Sequence, residues 1–218
     1  MLSCFFFLAL LFGNVCLAQN NVSPVNTPIQ KFYSSNFVNP SPPNITSEFR
    51  ANYMQHKFDI NVNNIVTGFM YLSPSQQKVR ADGAADGSLE VSMFDFKNTT
   101  ANGTQVANSI LSFVGGATDP ICSSFFLEPF VLLFPEDFLS QFNAVYAGVQ
   151  HDDLYGPVTA WTFSRGDNLQ VTFFLDTTNT LVRYDFAASD TLRTFATTRF
   201  FNIIPGPINS TVFETSCQ

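Results

Sequence analysis

Two stretches of this chain repeat each other without a gap, and they confine it to a sheet built from hairpins. The first runs Tyr71-Leu72, a polar link from Ser73 to Lys78, then Val79-Arg80-Ala81-Asp82. The second runs Phe174-Leu175, a link from Asp176 to Leu181, then Val182-Arg183-Tyr184-Asp185. In each, an aromatic-Leu pair leads through turn-forming residues into a second extended segment, the pattern of strand, turn and strand. Alternation is clearest in the second copy. Leu169, Val171, Phe173 and Leu175 share one face, opposite Asn168, Gln170, Thr172 and Asp176, with Phe174 the exception. On the return strand Val182, Tyr184 and Phe186 oppose Arg183 and Asp185, and in the first copy Val79 and Ala81 oppose Lys78, Arg80 and Asp82. This is the half-buried antiparallel pattern.

Further strand signals follow one another along the chain: Phe49 to Phe58, Ile65 to Leu72, Gln77 to Asp82, Ser88 to Phe96, Val106 to Val114, Ala144 to Gln150, Val158 to Phe163, Leu169 to Leu175, Thr180 to Phe186 and Thr194 to Asn202. Turn residues separate most of them, among them Ser73-Pro74, Asp82-Gly83, Asp86-Gly87, Gly115-Gly116 and Gly156-Pro157. Phe69 to Leu72 and Met93 to Phe96 are apolar on both faces in places, so these arms need cover on both sides. Helical signals are few. Pro135-Glu136-Asp137-Phe138-Leu139 opens like a helix, with proline in the first turn and acids at the positive end. The expected fold class is mainly β (β-rich α+β), an antiparallel sheet with a few short helices.

Residues 1–18 carry no charged side chain, and the apolar run Cys4 to Phe12 is short for a membrane span. With small residues at Cys16 and Ala18, this segment reads as a secretory signal peptide, with an uncleaved anchor as the alternative. Residues 19–45 are polar and rich in proline and read as an extended lead-in; residues 46–218 read as one domain. No later stretch approaches membrane-spanning length. Beyond the signal, Cys122 and Cys217 form an even pair in an oxidising compartment, so a disulfide is expected, the alternative being two buried thiols. Closing roughly a hundred residues of chain contributes about 4–5 kcal/mol by loop entropy. Five Asn-x-Ser/Thr sequons, at Asn21, Asn44, Asn98, Asn102 and Asn209, point to N-glycosylation in a eukaryotic secretory pathway. The destination is extracellular or the lumen of the secretory or endolysosomal system.

The net charge of −7 and the scatter of both signs disfavour nucleic acid as a partner and anionic lipid headgroups as a docking surface. The inventory for catalysis is thin: two separated histidines, His56 and His151, no nucleophile elbow and no phosphate loop. A non-enzyme is expected. His151-Asp152-Asp153 reads as a solvated loop, since consecutive residues seldom converge on one ion. Asp82-Gly83-Ala84-Ala85-Asp86-Gly87 invites a calcium reading but lacks the alternating oxygens of a calcium loop, and reads as two tight turns. The pairs Arg80–Asp82 and Arg183–Asp185 read as charge pairing on a solvent face, with a recognition patch as the alternative.

Three sets of residues carry a family resemblance. They are Gly68-Phe69-Met70-Tyr71 with Val79-Arg80 and Asp82, Val158 and Trp161 with Phe173-Phe174-Leu175-Asp176, and the end Val212-Phe213-Glu214-Thr215-Ser216-Cys217. Together they resemble the ependymin-related proteins, within the wider group of LolA-like folds, over roughly Phe49 to Cys217. The resemblance implies a strongly curved antiparallel sheet, an open half-barrel around a hydrophobic cavity. It also leaves calcium open as a cofactor. Phenylalanine is abundant, 26 residues with four of them in the first 18. The expected lining of a cavity is Leu89, Val91, Met93, Trp161, Phe163, Val171, Phe173, Val182, Tyr184 and Phe186, with a packed core as the alternative reading of the same residues. Burying an acyl chain against such a set contributes about 0.8 kcal/mol per CH₂. The expected function is a secreted glycoprotein that binds a lipid or other hydrophobic molecule. The alternative is an extracellular adhesion or signalling protein of the ependymin type, calcium-modulated and a homodimer.

Overall fold

Eleven strands form one antiparallel sheet: β1 (Phe49–Phe58), β2 (Asn63–Ser73), β3 (Lys78–Ala85), β4 (Ser88–Thr99), β5 (Val106–Val114), β6 (Ile121–Leu127), β7 (Val145–Asp152), β8 (Gly156–Arg165), β9 (Leu169–Leu175), β10 (Leu181–Ala188) and β11 (Phe195–Pro205). The computed structural model describes residues 37–61, 63–127, 133–165, 169–189 and 193–214. The expected signal peptide, Asn21, Cys217 and most of the proline-rich lead-in lie outside them. The strand order is β6-β5-β4-β3-β2-β1-β11-β10-β9-β8-β7, so the sheet does not close on itself and β6 and β7 are its edges. Each half is a meander of consecutive hairpins, and β1 against β11 joins the halves, with Phe49 opposite Pro205 and Phe58 opposite Phe195. Among the described residues one helical turn, α1 (Phe138–Gln141), and a 3₁₀ turn, Ser210–Phe213, complete the regular structure. The mainly β, open antiparallel class expected from the sequence is the class observed.

The two repeated hairpins form as β2–β3 and β9–β10, but their turns differ. In the first, Leu72 faces Val79 and Gln77 takes the left-handed conformation. In the second, the Asp176 carboxylate accepts bonds from the backbone N–H of Thr178 and Thr180, and Asn179 takes the left-handed conformation. Asn tolerates that conformation well, which tightens the turn by one residue. Leu175 therefore faces Leu181, and a bulge at Val182 restores the register so that Phe174 faces Arg183, as Tyr71 faces Arg80. A bulge shifts a side chain from one face to the other. Val182 thus packs with Val158, Ala160 and Phe174, while its neighbours Leu181 and Tyr184 join the main cluster.

That main cluster defines the core face. It takes Phe49, Ala51 and Tyr53 from β1, Met70 and Leu72 from β2, Val79 and Ala81 from β3 and Phe94 from β4. From the other half come Trp161, Phe163, Val171, Phe173, Leu175, Tyr184 and Phe200. The segment before β7 folds onto this face. Phe134 meets Phe173 edge-on with ring centres 4.9 Å apart and lies 5.9 Å from Tyr184. Phe138 stacks on Phe173 at 5.4 Å and Phe142 tilts against Phe163 at 5.5 Å. Aromatic pairs in these geometries contribute beyond the area they bury. The Asn39 side chain bonds Ala144 O and Tyr146 N, fixing the preceding chain to β7.

Two sequence expectations need correction. Gly83 is not in a turn; β3 continues through it to Ala85, and Asp86-Gly87 alone forms the two-residue turn, both with positive φ. His151 and Asp152 are not a solvated loop either. They end β7, and Asp152 is buried, paired with Arg199 at 3.0 Å and accepting the N–H of Leu154 at 2.9 Å.

Phe134 touches two strands of the core face and has 1% of its surface exposed. Truncation of Phe134 to Ala is expected to lower stability by about 3–5 kcal/mol. Urea unfolding measures this, and a loss within experimental error would mean that the segment is not part of the folded core.

Candidate functional site

The core face is filled at one end of β1–β4 and open at the other, and the cross-strand rows show why. The row Phe49–Leu72–Val79–Phe94 is made of large side chains that are wholly buried. The next row on the same face is Ala51–Met70–Ala81–Ser92, and the one after is Tyr53–Gly68–Gly83–Glu90. The last is Gln55–Val66–Ala85–Ser88; Val66 and Ala85 meet in it because Thr67 faces Ala84. Side-chain volume falls away along these rows, most sharply where Gly68 and Gly83 pair directly. A cleft of about 280 Å³ results, lined by Tyr53, Gln55, Asn64, Val66, Ala81, Gly83, Ala85, Asp86, Ser88, Glu90 and Ser92. This is just below the range for small-molecule sites, about 300–1,000 Å³.

Both glycines are required by close approach. A Cβ on Gly68 would stand 1.7 Å from the carbonyl oxygen of Asp82, and one on Gly83 would stand 2.7 Å from the Tyr53 hydroxyl. Tyr53 therefore lies against Gly83 as one wall of the cleft. Its phenol is pushed well above the ordinary value, first by burial, then by the neighbouring Tyr184 and by the charge of Asp82. Burial also raises the phenol of Tyr184, opposed by its hydrogen bond with Thr198.

Several polar groups of the lining are hydrogen-bonded within the protein. Gln55 Nε2 donates to Thr198 Oγ1 at 2.9 Å, Ser88 Oγ to Ala85 O at 3.0 Å and Ser92 Oγ to Asn108 Oδ1 at 3.0 Å. Asn64 Oδ1 is buried with no hydrogen-bond partner among the described residues. Glu90 receives a long bond from Ser112 at 3.5 Å. The lining includes two carboxylates, Asp86 and Glu90, and neither lysine nor arginine.

The ten residues expected to line one cavity divide among several places. Trp161, Phe163, Val171, Phe173 and Tyr184 belong to the core cluster, and Phe186 packs against it. They meet one another and the Phe134–Phe142 segment, so this part of the face is packed by the chain's own side chains. Leu89, Val91, Met93 and Val182 are not on that face. Val91 and Met93 form a separate cluster with Leu111, Leu89 is largely exposed, and the bulge carries Val182 outward. On β4 the core-facing residues are instead Ser92 and Phe94. The cleft residues outside that expected set are mostly small or polar, among them Tyr53, Asn64, Gly83, Ala85, Glu90 and Ser92. Of these, Gly83 and Ala85 belong to the Asp82–Gly87 run singled out in the sequence, whereas Ala84 does not line the cleft.

The remaining candidates have structural roles. Arg80 Nε and Nη2 donate to the Asp82 carboxylate at 2.7 and 2.9 Å, and Nη1 donates to Val212 O at 2.7 Å, fastening the 3₁₀ turn to β3. Arg183 makes the same two-pronged pair with Asp185 and lies 4.6 Å over the Phe174 ring. Arg183 also faces Arg199 directly across β10–β11, and each arginine keeps its own carboxylate, Asp185 or Asp152. Among the described residues no group of three His, Cys, Asp or Glu is placed to hold a metal ion. Cys122 on β6 is disulfide-bonded; Cys217, its expected partner, lies outside the described residues. Asn44, Asn98, Asn102 and Asn209 are all exposed. No helix among the described residues is long and apolar enough to cross a membrane.

No protein-family model matches the sequence. No curated protein matches it either. Among solved structures, the chain is similar to a DUF1329-family protein from Desulfovibrio piger, with a TM-score of 0.37, 6% identity, and coverage of 78% of this chain and 90% of that one. It is also similar to a LolA-superfamily protein from Nitrosomonas europaea, with a TM-score of 0.36, 8% identity, and coverage of 78% and 91%.

Tyr53 and Tyr184 give the protein a defined alkaline response. Their folded-state pKa values lie above the unfolded value, so the native state holds these protons more tightly than the unfolded chain does. Stability is then unaffected below about pH 10 and falls as pH rises beyond it. Urea midpoints measured from about pH 8 to about pH 11.5 should show this fall, and it should flatten in the Tyr53→Phe, Tyr184→Phe double variant. An equal fall in both proteins would refute the assignment.

Proposed function

We propose that this is a secreted, N-glycosylated, non-catalytic protein that holds a small, partly apolar molecule in the core-face cleft of β1–β4. The observation that carries this reading is the cleft of about 280 Å³ left where Ala81, Ala85, Ser88 and Ser92 present short side chains beside a solid aromatic core. A sheet that needed only to be packed would fill that space, as it does at Phe49–Leu72–Val79–Phe94. The apolar floor of Val66, Ala81 and Ala85 suits a short hydrocarbon segment, and the polar rim fixes its orientation. The exposed sequon asparagines and the disulfide-bonded Cys122 support an oxidising, glycosylating compartment, extracellular or luminal. A Cys122–Cys217 bridge belongs to this proposal. So does the absence of catalysis, supported by His56 and His151 lying on β1 and β7 with four strands between them.

A second reading, an adhesion or signalling protein of the ependymin type acting as a homodimer, is favoured by one observation. Edge strand β6 exposes Ile121, Phe125 and Phe126 at the border of the sheet, a surface suited to strand pairing. Sedimentation distinguishes it: a stable dimer at micromolar concentration supports this reading, and a monomer removes it.

The binding reading is tested by solvent extraction of protein purified from its native host, followed by mass spectrometry, and by titration with an environment-sensitive apolar dye. Ala85 is half-buried in the cleft, so Ala85→Leu fills the site without entering the closed core. Co-purifying amphiphile, or dye binding abolished by Ala85→Leu, is expected. A clean extract together with dye binding that Ala85→Leu leaves unchanged would sink the proposal.

A further inference from the structure

The large apolar side chains left exposed are not scattered. Many crowd one end of the sheet, where β1, β3 and β5 finish and β2, β4, β6 and β11 begin. Phe58 closes β1 and faces Phe195, which opens β11. Ile60 lies in the β1–β2 turn, Leu89 follows the Asp86-Gly87 turn, Val114 closes β5 and Ile121 opens β6. All are exposed, Ile60 and Ile121 by 66% and 67%. They occupy both faces of that end. Gln55 and Ser88 are on the core face, so period-two alternation puts Phe58 and Leu89 on the outer one, while Val114 faces Ser88 from the core side. Every sequon among the described residues sits at the opposite end. Asn44 precedes Ile45 and Thr46, and the Thr46 N–H bonds Asn179 O in the β9–β10 turn. Asn98 and Asn102 lie where β4 gives way to β5, and Asn209 follows β11 and caps the 3₁₀ turn. Charges beside the apolar end carry both signs. Lys57 pairs with Asp59 at 3.4 Å, Arg165 and Arg193 stand in the second half, and Asp86, Glu90 and Asp119 stand in the first. Nothing in this mix favours an anionic headgroup.

We propose that this end of the sheet docks on a zwitterionic lipid surface, its apolar tips dipping between the headgroups. The proposal goes beyond the binding reading and stands on the placement of the tips and sequons, not on the cleft. Contiguous exposed apolar side chains mark interaction sites. A protein partner packs against one face, whereas tips that project from strand ends on both faces are matched by a medium that deforms around them. The glycans proposed above extend into water from the far end and leave this one bare. With a net charge of −7, apolar insertion rather than headgroup attraction supplies the driving force, which grows with the apolar area buried. The cleft reaches the same end, since Asp86 and Ser88 line it, so docking brings it to a source of amphiphile.

The test is flotation of the whole protein, purified from a eukaryotic secretory host, with vesicles of phosphatidylcholine. The protein should float with them, and should still do so in ~1 M sodium chloride, which screens charge but not apolar burial. The triple variant Ile60→Asp, Val114→Asp, Ile121→Asp should lower the partition coefficient about tenfold or more. The double variant Leu154→Asp, Ile204→Asp alters side chains that are similarly exposed at the sequon end, and should float as the unaltered protein does. Urea midpoints confirm that both variants fold, and flotation of the unaltered protein decides the matter should either fail to. An unaltered protein that stays unbound, flotation that needs an anionic lipid, or equal loss in the two variants would overturn the proposal. Self-association without lipid that the triple variant abolishes, with no flotation, would give this end to a second copy of the chain instead. Ligand extraction and dye binding at the cleft are separate measurements, so the binding reading stands or falls apart from this one.

Discussion

The pairing of β1 with β11 is the contact on which the rest of the structure depends. Every other strand pair in the sheet joins neighbours in sequence, whereas this one brings together segments more than a hundred residues apart. Loop-closure entropy makes such a contact costly to form, so it needs a strong local reward. That reward is concentrated at Phe49 and Phe200, both wholly buried, whose rings meet edge-on at 5.3 Å. The same seam places Tyr53 and Gln55 of β1 on the core face and lets Gln55 reach Thr198 of β11. One wall of the cleft therefore exists only because the two halves are joined.

Much of the fold was legible because its strands alternate and its turns carry Gly, Pro, Asn and Asp. Phe49–Phe58, Val106–Val114 and Leu169–Leu175 form with the bounds their patterns imply. β6 was not legible. Ile121 to Phe126 is exposed on both faces at a sheet edge, so no alternation marks it. The helical signal at Pro135–Leu139 yielded a single turn, Phe138–Gln141, because the segment serves to deliver Phe134, Phe138 and Phe142 to the core face rather than to extend a helix.

The site was less legible than the fold, for a physical reason. Apolar bulk announces itself in a sequence, and here that bulk fills space rather than lining it: Phe163, Phe173 and Tyr184 are occupied with Phe134, Phe138 and Phe142. The cleft is made of absences, Ala81, Gly83 and Ala85, which become a single depression only when β1–β4 are aligned in register. Val182 shows the same limit from the other side. Its alternation with Tyr184 is correct for a regular strand, and a one-residue tightening of the turn at Asn179 reverses it. Register is a property of pairs of strands, and no single strand encodes it.

The central claim is that a ligand occupies the glycine-row cleft and not the aromatic core. Backbone amide chemical-shift mapping on titration with 1-decanol tests it most directly. The account predicts that the largest shifts fall at Tyr53, Gly68, Gly83, Ala85 and Ser88 while Phe134, Phe138 and Phe173 stay still. Shifts centred on those three phenylalanines, with the glycine row unmoved, would contradict it.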